Sequence, residues 1–311
     1  MPEWDAEITW TEARIREEVA AVRPELADLP LEPLGEGFDN VAVRLGEWVF
    51  RFPRRSFGGD AMAIELRWLP ELAPELTLPI PVPEIIGAPS ERSPWPWGGF
   101  RYVAGTTADR AQLGEADRAA LTEPLAEFLA SLHRIAVPDD APPDTITRHD
   151  HRRRAPKVIE RLAGLAADDS GELGTLAARA ILFTEELREL PPWDESPVWC
   201  HGDLYARHLL MDDRALVGVI DWGDLHAGDR AVDLSIAWSF LPPSEHERFL
   251  ARYTACLGGA DEVDPVVWAR ARFRAIHYGA ALGEYGRAID DPALEETARI
   301  ALRSALPLDR D

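Results

Sequence analysis

Strand-like alternation comes first in this chain and helical periodicity second. Val41-Ala42-Val43-Arg44-Leu45 and Trp48-Val49-Phe50-Arg51-Phe52 carry the two-residue period of half-buried strands, with Gly46-Glu47 as the turn between them. Residues 31–34 lead in as a further strand, so the spacing predicts a three-stranded meander with a glycine loop at 35–40. Gly58-Gly59-Asp60 reads as a helix start, with Asp60 as the N-cap of a helix over 61–72. Beyond the proline-rich stretch 78–83, residues 84–88 and 99–103 read as two more strands. Five strands and one internal helix thus occupy 31–103, preceded by a helix over 9–22 that turns Ile15, Val19 and Val22 inward.

The period changes after Gly105. Residues 112–135 place Leu121, Leu125, Phe128, Leu129 and Leu132 on one helical face. Further helices are predicted over 156–167, 171–190, 231–240, 243–256, 265–289 and 292–305. Between the second and third of these lie apolar runs at 198–200, 209–211 and 216–220, with Asp212-Asp213 as a turn signal. The expected class is α+β, with a β-rich domain over 1–103 and a helical domain over 104–311.

Composition narrows the function. A net charge of −22 argues against a nucleic-acid partner and permits a cationic small molecule. The 2 cysteines, Cys200 and Cys256, make no disulfide framework, and Cys200 sits in an apolar run where a buried thiol is expected. No apolar run approaches the ~20 residues of a membrane span, and residues 1–5 lack the basic start of a signal peptide. The expected location is the cytoplasm.

The chemistry concentrates in the strand–loop–hairpin at 198–222. Asp203 and Asp221 each follow a buried strand, and the hairpin between them also carries His208. Two carboxylates with a third potential ligand suit a phosphoryl-transfer site: one takes a hydroxyl proton, the other holds magnesium. His201 reads as a loop-stabilising hydrogen bonder, and Asp229 and Asp233 as cap or loop-fixing residues near a helix start. In the first domain, Gly35 and Gly37 permit close approach of the backbone to phosphate. Arg51, a cation in an apolar strand, needs a partner, and Glu65 on the next helix is the candidate, with Arg54 and Arg55 as competitors for the cation's role. A Gly-x-Ser-x-Gly elbow is absent, which removes serine hydrolase chemistry.

In this order the parts resemble the aminoglycoside phosphotransferase family, small-molecule kinases with a protein-kinase-like two-lobed fold. His201-Gly202-Asp203, position 208, Ile220-Asp221-Trp222 and Gly228-Asp229 through Asp233-Leu234 carry the likeness, which extends over about 30–290. The resemblance implies Asp203 as catalytic base and Asp221 as principal magnesium ligand, with His208 beside it. It implies Arg51 in place of a strand lysine on the nucleotide phosphates, and Glu65 as its helix partner. A hinge at 99–105, including Phe100 and Tyr102, would offer backbone groups to the nucleotide base. Arginine for lysine departs from the family pattern but keeps a phosphate-binding cation. His208 stands where the family has Asn; an imidazole suits magnesium less well than an amide oxygen, and the macrolide 2′-phosphotransferase branch carries His there too. That branch implies GTP as well as ATP as donor, and a hydroxyl-bearing antibiotic (macrolide or aminoglycoside) as acceptor. Helices at 156–190 and 265–289 would wall its cleft, with Glu284 and Asp290 available to an amino sugar. A kinase of choline-, homoserine- or sugar-like metabolites, and a non-catalytic nucleotide-binding module, remain as alternatives.

Overall fold

Each alternating stretch pairs as its pattern requires. A computed structural model describes residues 6–37, 39–91, 93–168, 171–259 and 263–307; Phe38 of the glycine loop and the N-terminal residues 1–5 lie outside them. The chain forms two units: Met1–Pro74, Pro79–Ala104 and Val219–Leu225 make the first, and Glu75–Leu78, Gly105–Gly218 and His226–Asp311 the second.

In the first unit, α1 (Glu12–Val22) precedes β1 (Leu31–Glu36), β2 (Asn40–Leu45) and β3 (Trp48–Pro53), followed by α2 (Ser56–Leu72), β4 (Pro83–Gly87) and β5 (Trp97–Arg101). The five strands form one antiparallel sheet in the order β1-β2-β3-β5-β4. β3 is therefore central, and Arg51 on it faces Ala42 on one side and Gly98 on the other. The inward set of β2 and β3 (Val43, Leu45, Phe50, Phe52) packs with Trp97 and with Ile15 and Val19 of α1, which Thr11 caps. Buried Glu18 accepts hydrogen bonds from the Trp97 indole (3.3 Å) and the Ser90 hydroxyl (2.9 Å), so its burial is compensated.

Asp60 is not an N-cap. α2 begins at Ser56 after Arg55, which places Gly58, Gly59 and Asp60 inside the helix. The glycines serve close approach: a Cβ on Gly58 would lie 2.4 Å from the Asp39 carbonyl oxygen, and one on Gly59 2.3 Å from the Trp95 ring. The helix thus packs under the turn that closes the glycine loop.

The second unit opens with β6 (Thr106–Thr107), α3 (Glu115–Ala120), α4 (Thr122–Arg134), α5 (His151–Asp168) and α6 (Glu172–Leu187). β7 (Val198–Cys200), β8 (Leu209–Asp212), β9 (Ala215–Val219) and β10 (His226–Gly228) follow, then α7 (Ala231–Phe240), α8 (His246–Cys256), α9 (Pro265–Ala288) and α10 (Pro292–Ala305). Faces of α5, α6, α9 and α10 build its core around Leu162, Ala177, Ile276, Ala280, Leu294 and Leu302. The helix expected over 112–135 is two helices, because Pro124 has no N–H to give the Ala120 carbonyl. α5 starts at His151 rather than 156: Asp150 Oδ1 accepts the Arg153 amide (3.0 Å) and sets an earlier start. The turn after β8 is Asp213-Arg214 rather than Asp212-Asp213, with φ of 41° and 66°. Positive φ at both central residues is the two-residue hairpin geometry that matches strand twist.

Candidate active site

Arg51 is the cation around which the first unit's polar residues gather. Its place on the central strand forces the guanidinium over the sheet, 16% exposed, where Nη1 donates to both oxygens of Glu65 (2.9 and 2.7 Å). Nη2 reaches Asp221 Oδ1 at 3.2 Å. Glu65 is fully buried, whereas the Asp221 side chain is 52% exposed. Asp221 adopts φ of 63°, a left-handed backbone that a short carboxylate tolerates and that directs the chain out of strand geometry immediately after Ile220. The competitors are occupied elsewhere: Arg54 pairs with Glu36 (2.5 Å) and Arg55 with Asp39 (2.5 Å).

Burial lifts the Glu65 carboxyl from 4.5 to about 7; Arg51 pulls it down, and the neighbouring charges of Asp221 and Asp224 add to the rise. For Arg51, burial opposes its charge but Glu65 and Asp221 outweigh it, so its pKa moves up. The native state therefore binds more protons at Glu65 than the unfolded chain does between about 4.5 and 7. Stability from this group is full below that window and is lost as pH rises through it. Glu65→Gln is expected to flatten the fall in Tm between pH 5 and 8 measured by calorimetry; an unchanged slope would refute the assignment.

Asp203 is held by its main chain and its side chain alike. Its amide donates to His201 Nδ1 (3.3 Å), and its carbonyl accepts from His208 Nδ1 (2.7 Å). These bonds assign opposite tautomers: His201 carries its proton on Nε2, and neutral His208 on Nδ1. His208 also packs edge-on against Tyr205, with ring centroids 4.4 Å apart. The preceding amides of His201 (2.7 Å) and Gly202 (2.9 Å) donate to the buried carboxylate of Asp233. Burial raises the Asp233 pKa, but His133, His201 and the amide donors more than offset it, and the net shift is downward. Asp229 accepts the amide of Ala231, the first residue of α7 (2.9 Å), and pairs with buried Arg270 (2.8 Å). So Asp233 fixes the loop and Asp229 the helix start. Cys200 is buried, and burial pushes its thiol pKa well up, which removes it as a nucleophile.

The Asp203 side chain is 33% exposed, and its Oδ1 accepts a hydrogen bond from the Tyr278 hydroxyl (2.9 Å) on α9. Arg274, one turn earlier, donates through Nη2 to the Tyr278 oxygen (3.3 Å) and lies 4.5 Å from its ring centroid. Sequence reasoning missed both residues. They occupy a helix whose pattern signals only burial, and no spacing links positions 75 apart.

A Cβ on Gly35 would meet nothing within 4 Å and one on Gly37 only the Asn40 carbonyl oxygen at 3.8 Å, so the fold itself does not demand glycine at either. Phe100 is buried, 5.9 Å from the Arg51 guanidinium by its ring centroid. The Tyr102 amide donates to the Glu47 carbonyl (2.8 Å), so this hinge donor is used within the unit rather than offered to a base. Glu284 pairs with Arg161 (2.8 Å) and its side chain stays half exposed.

These motifs have relatives. The model of the phosphotransferase enzyme family, APH, matches residues 30–274. An aminoglycoside 3′-phosphotransferase of Streptomyces fradiae is 29% identical over 248 residues, 75% of this chain and 82% of its own. Among solved structures, the GDP and kanamycin complex of APH(2″)-IIIa superposes with a TM-score of 0.60 at 25% identity, covering 93% of this chain and 97% of that one. Macrolide 2′-phosphotransferase MphH from Brachybacterium faecium shares the fold, with a TM-score of 0.57 at 22% identity over 96% of this chain and 100% of that one. With an antiparallel sheet unit, a helical unit and the family pattern spanning 30–274, the chain belongs to the aminoglycoside phosphotransferase family: a nucleotide-dependent phosphotransferase with a protein-kinase-like α+β fold.

Proposed function

We propose that this enzyme transfers the γ-phosphoryl group of GTP or ATP, bound with magnesium, to a hydroxyl of an antibiotic of the aminoglycoside or macrolide class. In this reading the first unit binds the nucleotide, through Gly35, Gly37, Arg51 and backbone groups of the 99–105 hinge other than the Tyr102 amide, and the second orients the acceptor. The observation that carries it is the Arg51 set: one guanidinium bonded to a buried carboxylate and to a half-exposed one at a strand end. Glu65 pins the cation, and Asp221 is the hard oxygen donor that magnesium requires. His208 fits magnesium less well, since neutral imidazole offers only nitrogen and its Nδ1 proton is spent on the Asp203 carbonyl. Bound magnesium would neutralise charge on the phosphate oxygens. Asp203 takes the proton of the acceptor hydroxyl, and its bonds with His201 and His208 of the loop and with Tyr278 of α9 hold it in place. A nucleoside triphosphate donor puts this work in the cytoplasm; among the described residues no helix is long and apolar enough to cross a membrane.

One observation favours an acceptor of low charge over a polycation. Arg274 bonds to Tyr278, itself on Asp203, and Arg154 lies near enough that burial together with Arg274 and Arg148 lowers it to about 10. Amino groups brought beside Asp203 would meet this positive charge.

Nucleotide consumption by the purified protein, with ATP and GTP against macrolides, aminoglycosides and common metabolite alcohols, tests the reading. Acceptor-dependent consumption with an antibiotic is expected. Turnover with a metabolite alcohol alone would overturn the acceptor class, and nucleotide binding without turnover would overturn catalysis. His208→Asn is expected to stay within about 10-fold of wild-type turnover, because an Asn amide N–H reaches the position of imidazole Nδ1 and can still donate to the Asp203 carbonyl. A dead His208→Asn enzyme would assign the imidazole a role that an amide cannot fill.

A further inference from the structure

Given Asp203 as the base, on which this rests, we infer that Tyr278 is a positioning residue for the reaction, held by Arg274, which fixes Asp203 Oδ1 and leaves Oδ2 to take the acceptor proton. The direction of each bond follows from donor chemistry. A guanidinium has no acceptor, so Arg274 Nη2 must donate to the Tyr278 oxygen (3.3 Å). A tyrosine hydroxyl has one proton, and with its oxygen accepting from Arg274 that proton goes to Asp203 Oδ1 (2.9 Å). The same cation sets the next ring: Arg274 Nη1 donates to His277 Nδ1 (3.2 Å), so His277 holds its proton on Nε2.

Tyr278 is built to stay a donor. Burial, and after it the Asp203 charge, push its pKa well above the ordinary phenol value, while Arg274 opposes this. Its ring is buried, stacked on Tyr205 with centroids 5.8 Å apart and covered by the Arg274 guanidinium at 4.5 Å. Tyr205 in turn packs on His208, which holds the Asp203 carbonyl. Backbone and side chain of Asp203 are thus braced through one stack.

Oδ2, 3.9 Å from His208 Nδ1, is the oxygen outside that brace. In the step, the acceptor O–H proton passes to Oδ2 and the acceptor oxygen bonds to the γ-phosphorus. The bridging bond of the triphosphate breaks, and the nucleoside diphosphate leaves with its electron pair. A donor on Oδ1 fixes the rotation of the carboxylate, so that Oδ2 is the oxygen presented to the acceptor proton.

The test is turnover with GTP and kanamycin, or erythromycin where kanamycin is not phosphorylated, with two replacements at 278. Tyr278→Phe removes the donor and keeps the ring, and it is expected to lower kcat about 10-fold with KM for GTP unchanged. Incorporation of 3-fluorotyrosine at 278 keeps the donor and is expected to hold kcat within about 2-fold of wild type. A packing role alone would leave the Tyr278→Phe protein near wild type, because the ring and its stack on Tyr205 are retained. A Tyr278→Phe kcat within about 2-fold of wild type, or an equal loss in the fluorotyrosine protein, would overturn the inference; if Tyr278→Phe gives no cooperative melt, 4-fluorophenylalanine at 278, which fills the hydroxyl's space without a proton, decides. Retained turnover in Asp203→Asn would instead remove Asp203 as base, a result separate from the response at 278.

Discussion

Asp203→Ala is expected to cut turnover by about 10²–10⁴-fold, the usual worth of a positioned general base, while the nucleotide still binds. Three features of the loop support so large an effect. The aspartate backbone is fixed by His201 and His208, its Oδ1 is held by Tyr278, and the amides before it are tied to Asp233. In the proposed role, a base whose backbone and one oxygen are held contributes orientation as well as basicity, and both vanish with the carboxylate. Nucleotide affinity should persist because Arg51, Glu65 and Asp221 belong to the other unit. Isothermal titration with GTP beside a single-turnover assay separates the two quantities. Retained turnover would remove Asp203 as base, and lost nucleotide binding would show that its role is not confined to the hydroxyl.

Asp221→Ala should act on binding itself, weakening magnesium-nucleotide affinity on the order of 10–100-fold, or about 1.4–2.8 kcal/mol. The loss of a hard oxygen donor accounts for the direction. The fold should tolerate the change, since the side chain is half exposed and Arg51 keeps both oxygens of buried Glu65. Removing Asp221 also takes away one of the charges that raise Glu65, so that carboxyl should titrate lower in the variant. Binding of GTP with and without magnesium is the measurement. Equal affinity in wild type and variant, with magnesium present, would end the assignment of Asp221 as the metal's ligand.

Local pattern went a long way in this protein. Alternation at 41–45 and 48–52 specified β2 and β3, and α7 and α10 lie where the periodicity put them, at Ala231–Phe240 and Pro292–Ala305. Errors arose where a residue has two uses. Gly58-Gly59 reads as a helix start, but here it allows a backbone and an indole to press against a helix interior. Pro156 reads as a helix start too, but Asp150 caps an earlier turn.

The loop at 201–222 carries its meaning in order and spacing. His-Gly-Asp, a hairpin and Ile-Asp-Trp are local, and so are the glycines and turn residues that shape them. The sequence by itself therefore determined the elements, the family and the candidate residues, because strand and helix periods arise from neighbours a few positions apart. Only the tertiary structure decided which partner each candidate has. It put Nη1 of Arg51 on Glu65 and Nη2 on Asp221, gave His201 and His208 opposite tautomers, and brought Tyr278 to Asp203 across 75 positions. The last of these depends on how α9 packs against the loop, and side-chain packing between distant segments leaves no period along the chain.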